Sequence, residues 1–246
     1  MTCLKLFQKL LNSGVNYLRL VLIVITTVLL STISILFTPL NFWKGIGTYW
    51  AYKILGKSLL LICAVKLNVE IKGNIEKDKE YIIVSNHLSY LDIPVLMVSV
   101  PKNIRFIYKK SLTNIPIFGW SLYFGGYVPI DRKNARSAIE SLKKAVTRFK
   151  KSISIVIFPE GTRSITGETA DFKKGIFMLA ELAEVDIIPV SIIGTNLILK
   201  KDSFKINPGT VKVIINEPIK FVKDKQLLDK IRDVIVNNIN KNKQYE

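Results

Sequence analysis

The chain has 246 residues, room for one large domain or a domain with an anchor, and 49% of them are hydrophobic. Against 36 Lys and Arg stand only 19 Asp and Glu, a formal net charge of +17 that suits a protein held on an anionic surface, phospholipid or nucleic acid. One histidine and two distant cysteines, Cys3 and Cys63, leave almost no material for a zinc site or a disulfide framework and point to a reducing compartment.

From Leu20 to Phe42 no residue carries a formal charge, and the first acidic residue of the chain is Glu70. This run, LVLIVITTVLLSTISILFTPLNF, is long enough to cross a hydrocarbon core about 30 Å thick. It exceeds an ordinary signal-peptide core and lacks a clear small-x-small cleavage site. A shorter apolar stretch, SLLLICAV, follows at 58–65, with Trp43, Tyr49, Trp50 and Tyr52 between the two at the depth expected of headgroups. Arg19 and Lys44 flank both ends, so charge does not orient the segment. A single span and a re-entrant hairpin bending near Pro39 both fit, and the first 66 residues are expected to anchor the chain to a membrane. That choice speaks for lipid and against nucleic acid.

Past residue 66 the pattern changes to short alternating segments. LNVEIKG (67–73) and DKEYIIVS (78–85) read as strands, LDIPVLMVSV (91–100) as a helix with Pro94 in its first turn, and IRFIY (104–108) as a strand. Residues 109–132 combine short helical pieces with a strand near YVPI. The next segment, NARSAIESLKKAVTRFKK, is a helix capped by Asn134, with Ile139, Leu142, Val146 and Phe149 on one stripe. SISIVIF (152–158), DIIPVSII (186–193) and TVKVIIN (210–216) are strands, and KKGIFMLAELAEV a helix between the first two. A basic amphipathic helix closes the chain over 226–241, with Leu228, Ile231, Ile235 and Ile239 aligned; it packs on the sheet or lies on the membrane. The expected fold is α/β, a mixed, mostly parallel sheet flanked by helices over 67–246, behind an N-terminal hydrophobic helical anchor over 1–66.

Three segments carry candidate chemistry. SNHLSYLD (85–92) contains the only histidine. Ser89 three residues before Asp92 is a capping-box spacing, which accounts for the segment without any role for His87. If instead His87 ends the strand-to-helix turn and Asp92 sits in the first helical turn, the carboxylate reaches back to the ring, fixes its tautomer and leaves the other nitrogen basic. FPEGTRS (158–164) follows a strand. Gly161, Thr162 and Arg163 offer N–H groups, a hydroxyl and a guanidinium to a phosphate, and Glu160 could hold the arginine or bind substrate hydroxyls; a Pro/Gly turn with a solvated arginine is the alternative. GGYVPIDR ends in Asp131 and Arg132, either a second phosphate-binding cation or a surface ion pair.

In order and spacing, NHLSYLD, KKSLTNIPIFGW with GGYVPIDR, FPEGTRS and IIPVSI resemble the four blocks of the glycerophospholipid acyltransferase family with its HxxxxD motif, over about residues 80–195. The resemblance is closest to the 1-acyl-sn-glycerol-3-phosphate acyltransferases. It implies that His87 is a general base oriented by Asp92, activating the glycerol hydroxyl of lysophosphatidic acid for attack on the thioester of acyl-CoA or acyl carrier protein. It implies also that Glu160, Gly161, Thr162, Arg163 and Arg132 bind the acceptor, with Lys109 (or Lys110) at the phosphate or the thioester oxyanion. No cofactor or metal is implied, and the catalytic domain is expected at the cytoplasmic face of the membrane. Pro129, inside the block usually written G-x-I-x-I-D-R, and Tyr90-Leu91 before the aspartate depart from the commonest pattern. The rival readings are an acyltransferase for another lyso-lipid, an ornithine-type lyso-lipid or glycerol 3-phosphate, and a non-catalytic basic membrane adaptor.

Overall fold

Short β-branched runs alternating with helices assemble, among the described residues, into one seven-stranded sheet in the order Val65–Ile71, Gly209–Ile215, Ile187–Ile193, Ile82–Ser85, Ser154–Ile157, Ile104–Lys109 and Val128–Ile130. The computed structural model describes residues 3–38, 46–131, 135–149, 153–164, 167–173, 175–224 and 226–242. The strands are β1 (Val65–Ile71), β2 (Ile82–Ser85), β3 (Ile104–Lys109), β4 (Val128–Ile130), β5 (Ser154–Ile157), β6 (Ile187–Ile193) and β7 (Gly209–Ile215). Every described pairing is parallel except β6 with β7, so the sheet is mixed and mostly parallel as the alternation implies.

The helices are α1 (Cys3–Leu36), α2 (Ile46–Ile62), α3 (Asp92–Ser99), α4 (Phe118–Phe124), α5 (Ala135–Phe149), α6 (Gly175–Ala183), the single turn α7 (Thr195–Ile198) and α8 (Leu227–Lys241). Because side chains of a strand alternate between faces, β2 sends Ile83 into one core and Ile82 and Val84 into the other. The first core gathers α2, α3 and α4; the second gathers α5, α6 and α8. The terminal helix therefore takes the packing alternative: Ile231, Ile235 and Ile239 are buried, with Leu228 at the margin of the same core. On α5 only part of the expected stripe is covered, since Leu142 is buried while Ile139 is 40% exposed. Asn134, its expected cap, lies outside the described residues. Pro129 sits in β4, which ends the sheet, where its missing N–H breaks no ladder on the open side.

Helix α1 is continuous over 34 residues, and within it Ser13–Leu36 is long and apolar enough to cross a membrane. Leu20, Ile23 and Leu30 lean on the first core, but Val21, Leu22, Val24, Ile25, Val28 and Leu29 are exposed, which makes the helix a candidate anchor. The second apolar stretch behaves differently. α2 packs against both α1 and α3 and, with Cys63 just past its end, buries Tyr52, Leu55 and Leu60 in the core of the α/β domain, while Ile54 and Leu61 stay exposed on its other side. Tyr52, expected at the headgroups, instead shares a buried hydrogen bond with Ser121 at 2.8 Å, while Trp50 stays exposed. Pro39, Trp43 and Lys44 lie outside the described residues.

Candidate active site

β2, β3, β4, β5 and β6 are parallel to one another, so their C-terminal ends share one edge of the sheet, where the loops of an α/β fold form its crevice. Asn86, just past β2, fixes the start of the first loop. Its side-chain amide donates to the Ile192 carbonyl at 2.9 Å and accepts from the Ile192 N–H at 2.8 Å, so a buried side chain imitates a strand partner.

His87 follows, and Asp92 is the first residue of α3. The Asp92 carboxylate is wholly buried, yet four donors surround it. Oδ2 meets His87 Nδ1 at 2.7 Å and accepts the N–H groups of Leu88 at 2.7 Å and Ser89 at 2.8 Å. Oδ1 accepts the hydroxyl of Thr195, also buried, at 2.6 Å. A buried carboxylate needs such a set of partners, and a helix N-terminus favours its charge. Half of the capping box exists: the acid reaches back to the Ser89 N–H, but the Ser89 hydroxyl accepts from Leu91 N–H and donates to the Leu199 carbonyl at 2.7 Å. Bonding and turn formation thus use the same carboxylate.

The loop after β5 wraps this turn. Phe158 stacks on the His87 ring at 4.0 Å between centroids, tilted 15°. The His87 N–H donates to Glu160 Oε1 at 2.8 Å, and the Ser164 N–H donates to the His87 carbonyl at 2.8 Å. Both Glu160 oxygens are used on backbone, Oε2 accepting from the Ala170 N–H at 3.1 Å. Burial pushes the Glu160 carboxyl above its ordinary pKa, against the opposing pull of these two N–H donors. Glu160 therefore braces the two loops, and neither of its oxygens turns to Arg163.

Gly161 adopts φ +74°, and a Cβ there would come within 2.8 Å of Lys173 Nζ. The left-handed backbone disfavours a side chain there, while the Lys173 ammonium, at the end of a flexible chain, can move aside. Thr162 is exposed. The Arg163 guanidinium lies 3.7 Å from the centre of the Tyr90 ring, with Nη2 3.5 Å from Asp202 Oδ1. Its Nη1 is buried and has no hydrogen-bond partner among the described residues. Lys201 donates to the Arg163 carbonyl at 3.1 Å, so cations from three segments gather around this loop. Lys109 ends β3 and is exposed; Arg132 lies outside the described residues. An apolar cavity of about 230 Å³ opens beside the turn, lined by Tyr90, Pro94, Met97, Phe106, Leu122 and Tyr127 among others.

Thr195, Phe158, Tyr90, Lys173 and Lys201 are thus additions to the residues singled out from sequence. Phe158 and Tyr90 stand inside the motifs already marked. Thr195 is 103 positions from Asp92, held at the end of β6 by Gly194 at φ +94°, and only the Gly-Thr after an apolar strand hints at it.

A mostly parallel α/β sheet whose strand ends bring a histidine against a buried carboxylate, with a long apolar helix ahead of it as a candidate anchor, suits an enzyme site. The family model described as Acyltransferase matches residues 66–193, and the chain belongs to that family. It is 36% identical over 209 residues to the chloroplastic 1-acyl-sn-glycerol-3-phosphate acyltransferase of Arabidopsis thaliana, covering 83% of this chain and 57% of that one. With the 1-acyl-sn-glycerol-3-phosphate acyltransferase of Limnanthes alba the identity is 31% over 232 residues, 94% of this chain and 81% of that one. The crystal structure of the 1-acyl-sn-glycerophosphate (LPA) acyltransferase PlsC from Thermotoga maritima superposes with a TM-score of 0.81 at 26% identity, over 96% of this chain and 99% of that one. The chain spans 57%, 47% and 63% of the length of three curated relatives it matches.

Proposed function

We propose that the chain transfers an acyl group from a thioester, acyl-CoA or acyl carrier protein, to the sn-2 hydroxyl of 1-acyl-sn-glycerol 3-phosphate, forming phosphatidic acid. The observation that carries the mechanism is the 2.7 Å contact between His87 Nδ1 and a buried Asp92 oxygen that two backbone N–H groups also hold. Nδ1 is thereby the donor nitrogen, and Nε2, which has no hydrogen-bond partner among the described residues, is the base. Nε2 takes the proton of the acceptor hydroxyl as its oxygen attacks the thioester carbonyl. The tetrahedral intermediate collapses with loss of the thiolate, which recovers that proton from the imidazolium. Asp92 stabilises the imidazolium in between.

The acceptor's phosphate is assigned to Arg163, whose Nη1 has unused donor capacity, with Gly161 and Thr162 beside it and Lys109 and Arg132 as further cations. Glu160 positions the His87 backbone, and the lone pairs its oxygens keep beyond their two N–H bonds leave it able to accept from the hydroxyls of the acceptor. The apolar cavity beside Tyr90 receives an acyl chain. A thioester is already activated and the base needs only a proton transfer, so the reading requires no metal or prosthetic group. The relatives named for 1-acyl-sn-glycerol-3-phosphate support the choice of acceptor. The α/β domain, with α2 packed into its core, works at the cytoplasmic face, held by α1 on anionic phospholipid, consistent with the net charge of +17.

The test follows thiol release by purified protein in detergent micelles given lysophosphatidic acid and acyl-CoA or acyl carrier protein. Wild type is expected to turn over and His87→Ala to be inactive while remaining folded and membrane-bound. Turnover surviving in His87→Ala would remove the base, because the chain has no other histidine.

A further inference from the structure

We propose that the loop over residues 199–205 is a membrane-docking element that seats in the headgroup layer of an anionic bilayer. The segment LKKDSFK presents Phe204, 76% exposed, between Lys200, Lys201 and Lys205, and Leu197 just before it is 42% exposed. An exposed phenylalanine at the tip of a tight turn among lysines is costly in water. At a lipid interface its ring enters the acyl boundary while the ammonium groups meet phosphates. Asp202 makes the turn, at φ +60°, a conformation that aspartate tolerates better than most residues.

What selects lipid over another anionic partner is the loop's attachment. Asn16 of α1 bonds it in both directions, donating to the Phe204 carbonyl at 3.1 Å and accepting from the Ile206 N–H at 2.8 Å. Arg19 donates to the Ile206 carbonyl at 3.3 Å. These are the last polar residues of α1 before the uncharged run that begins at Leu20. With a rise of about 1.5 Å per residue, Asn16 and Leu20 are roughly 6 Å apart along the axis. The loop is therefore strapped to the anchor where its polar part gives way to its apolar part. Val15, Tyr17 and Leu18, exposed on the same stretch of helix, continue the apolar surface.

The inner side of the loop reaches the active site. The Leu199 carbonyl accepts from Ser89, Lys201 donates to the Arg163 carbonyl, and Asp202 faces Arg163. Docking the tip at the headgroups fixes the depth of Arg163, and on the proposed function it aligns that guanidinium with the phosphate of a lipid that never leaves the bilayer.

The experiment places a nitroxide at position 204 (Phe204→Cys, with Cys3→Ser and Cys63→Ala) and, separately, at the exposed Lys223 as an aqueous reference. The full chain is reconstituted in nanodiscs of phosphatidylcholine and phosphatidylglycerol. Collision with oxygen is expected to exceed collision with a water-soluble nickel chelate at 204, and the reverse at 223. A label at 204 that matches 223, or one shielded only when an acidic acyl carrier protein is added, would overturn the proposal. This measurement needs no turnover, so it stands or falls apart from the assigned reaction. A second variant, Phe204→Asp, is expected to lose about tenfold in rate on long-chain acceptor in anionic vesicles and nothing on a short-chain acceptor monomeric in water. Equal losses on both would also overturn it.

Discussion

Thr195→Val removes one hydrogen bond and almost no volume, so its consequence can be worked from the contacts of Asp92. Three donors hold Oδ2, but Oδ1 has only the Thr195 hydroxyl among the described residues. A hydrogen bond to a charged group contributes about 1.5–3 kcal/mol, and the carboxylate is fully buried, so water does not replace the lost donor freely. If the whole loss fell on the transition state, kcat would drop about 10- to 150-fold at about 1.4 kcal/mol per factor of ten. The Leu88 and Ser89 N–H groups still hold Oδ2 against the ring, which puts the expected loss near the low end, about tenfold. KM for the acceptor should not move, because the Thr195 hydroxyl is spent on Asp92 Oδ1, while Arg163 meets Tyr90, Lys201 and Asp202. Thr195→Ser restores the hydroxyl and should recover most of the rate. Asp92→Asn, which loses the charge itself, should fall further, by the roughly 10²–10⁴-fold attributable to a positioned base. Steady-state thiol release on the four proteins decides the matter. Wild-type kcat in Thr195→Val would refute the reasoning. So would a serine variant as slow as the valine one, since methyl packing rather than the hydroxyl would then be at work.

Two further outcomes follow from the loop after β5. Arg163→Ala should raise KM for lysophosphatidic acid about 10- to 150-fold, the equivalent of one charge-assisted contact, and abolish the preference over a 1-acylglycerol lacking phosphate. Arg163→Lys should recover only part, because the ammonium cannot reproduce the flat stacking on Tyr90; a retained preference in Arg163→Ala would refute the phosphate assignment. Burial holds Glu160 above its ordinary pKa, so the native chain binds that proton more tightly than the unfolded chain does. Its contribution to stability therefore declines as pH rises from the unfolded carboxylate value, about 4.3, through the raised native one. Glu160→Gln should flatten this part of the profile, read as the difference in urea midpoint between acidic and neutral pH; an unchanged slope would refute it.

The parts of this molecule that depend on neighbours in sequence were legible, and those that depend on distant chain were not. Seven strands and their helices follow from local period, and the His87–Asp92 spacing allowed a ring and a carboxylate to meet on one turn beside the capping-box alternative. The order of the sheet did not follow, because nothing in TVKVIIN says that β7 runs antiparallel to β6 yet parallel to β1. The second use of Glu160 did not follow either: its two oxygens accept the N–H groups of His87 and Ala170, and no local pattern in FPEGTRS encodes that brace. The apolar stretch 58–65 did not disclose its two sides: α2 buries Leu55 and Leu60 against the core beside α1 and α3, while Ile54 and Leu61 of the same helix are exposed.

The two accounts of SNHLSYLD, turn closure and base orientation, are satisfied by one oxygen atom. Asp92 Oδ2 takes the Leu88 and Ser89 N–H groups that a turn leaves orphaned, and these same bonds fix the point that His87 Nδ1 must meet. A carboxylate one methylene longer would overshoot the turn, and an amide would present a donor to one of its neighbours. On the proposed mechanism the residue is therefore constrained twice, by folding and by chemistry. The order of effects among Asp92 substitutions should reflect both, with Asp92→Asn keeping the turn while losing rate, and Asp92→Glu losing the turn while keeping the charge. Placing Thr195 on the remaining oxygen lets the start of α7, 103 positions away, hold the acid still, which the turn cannot do for itself.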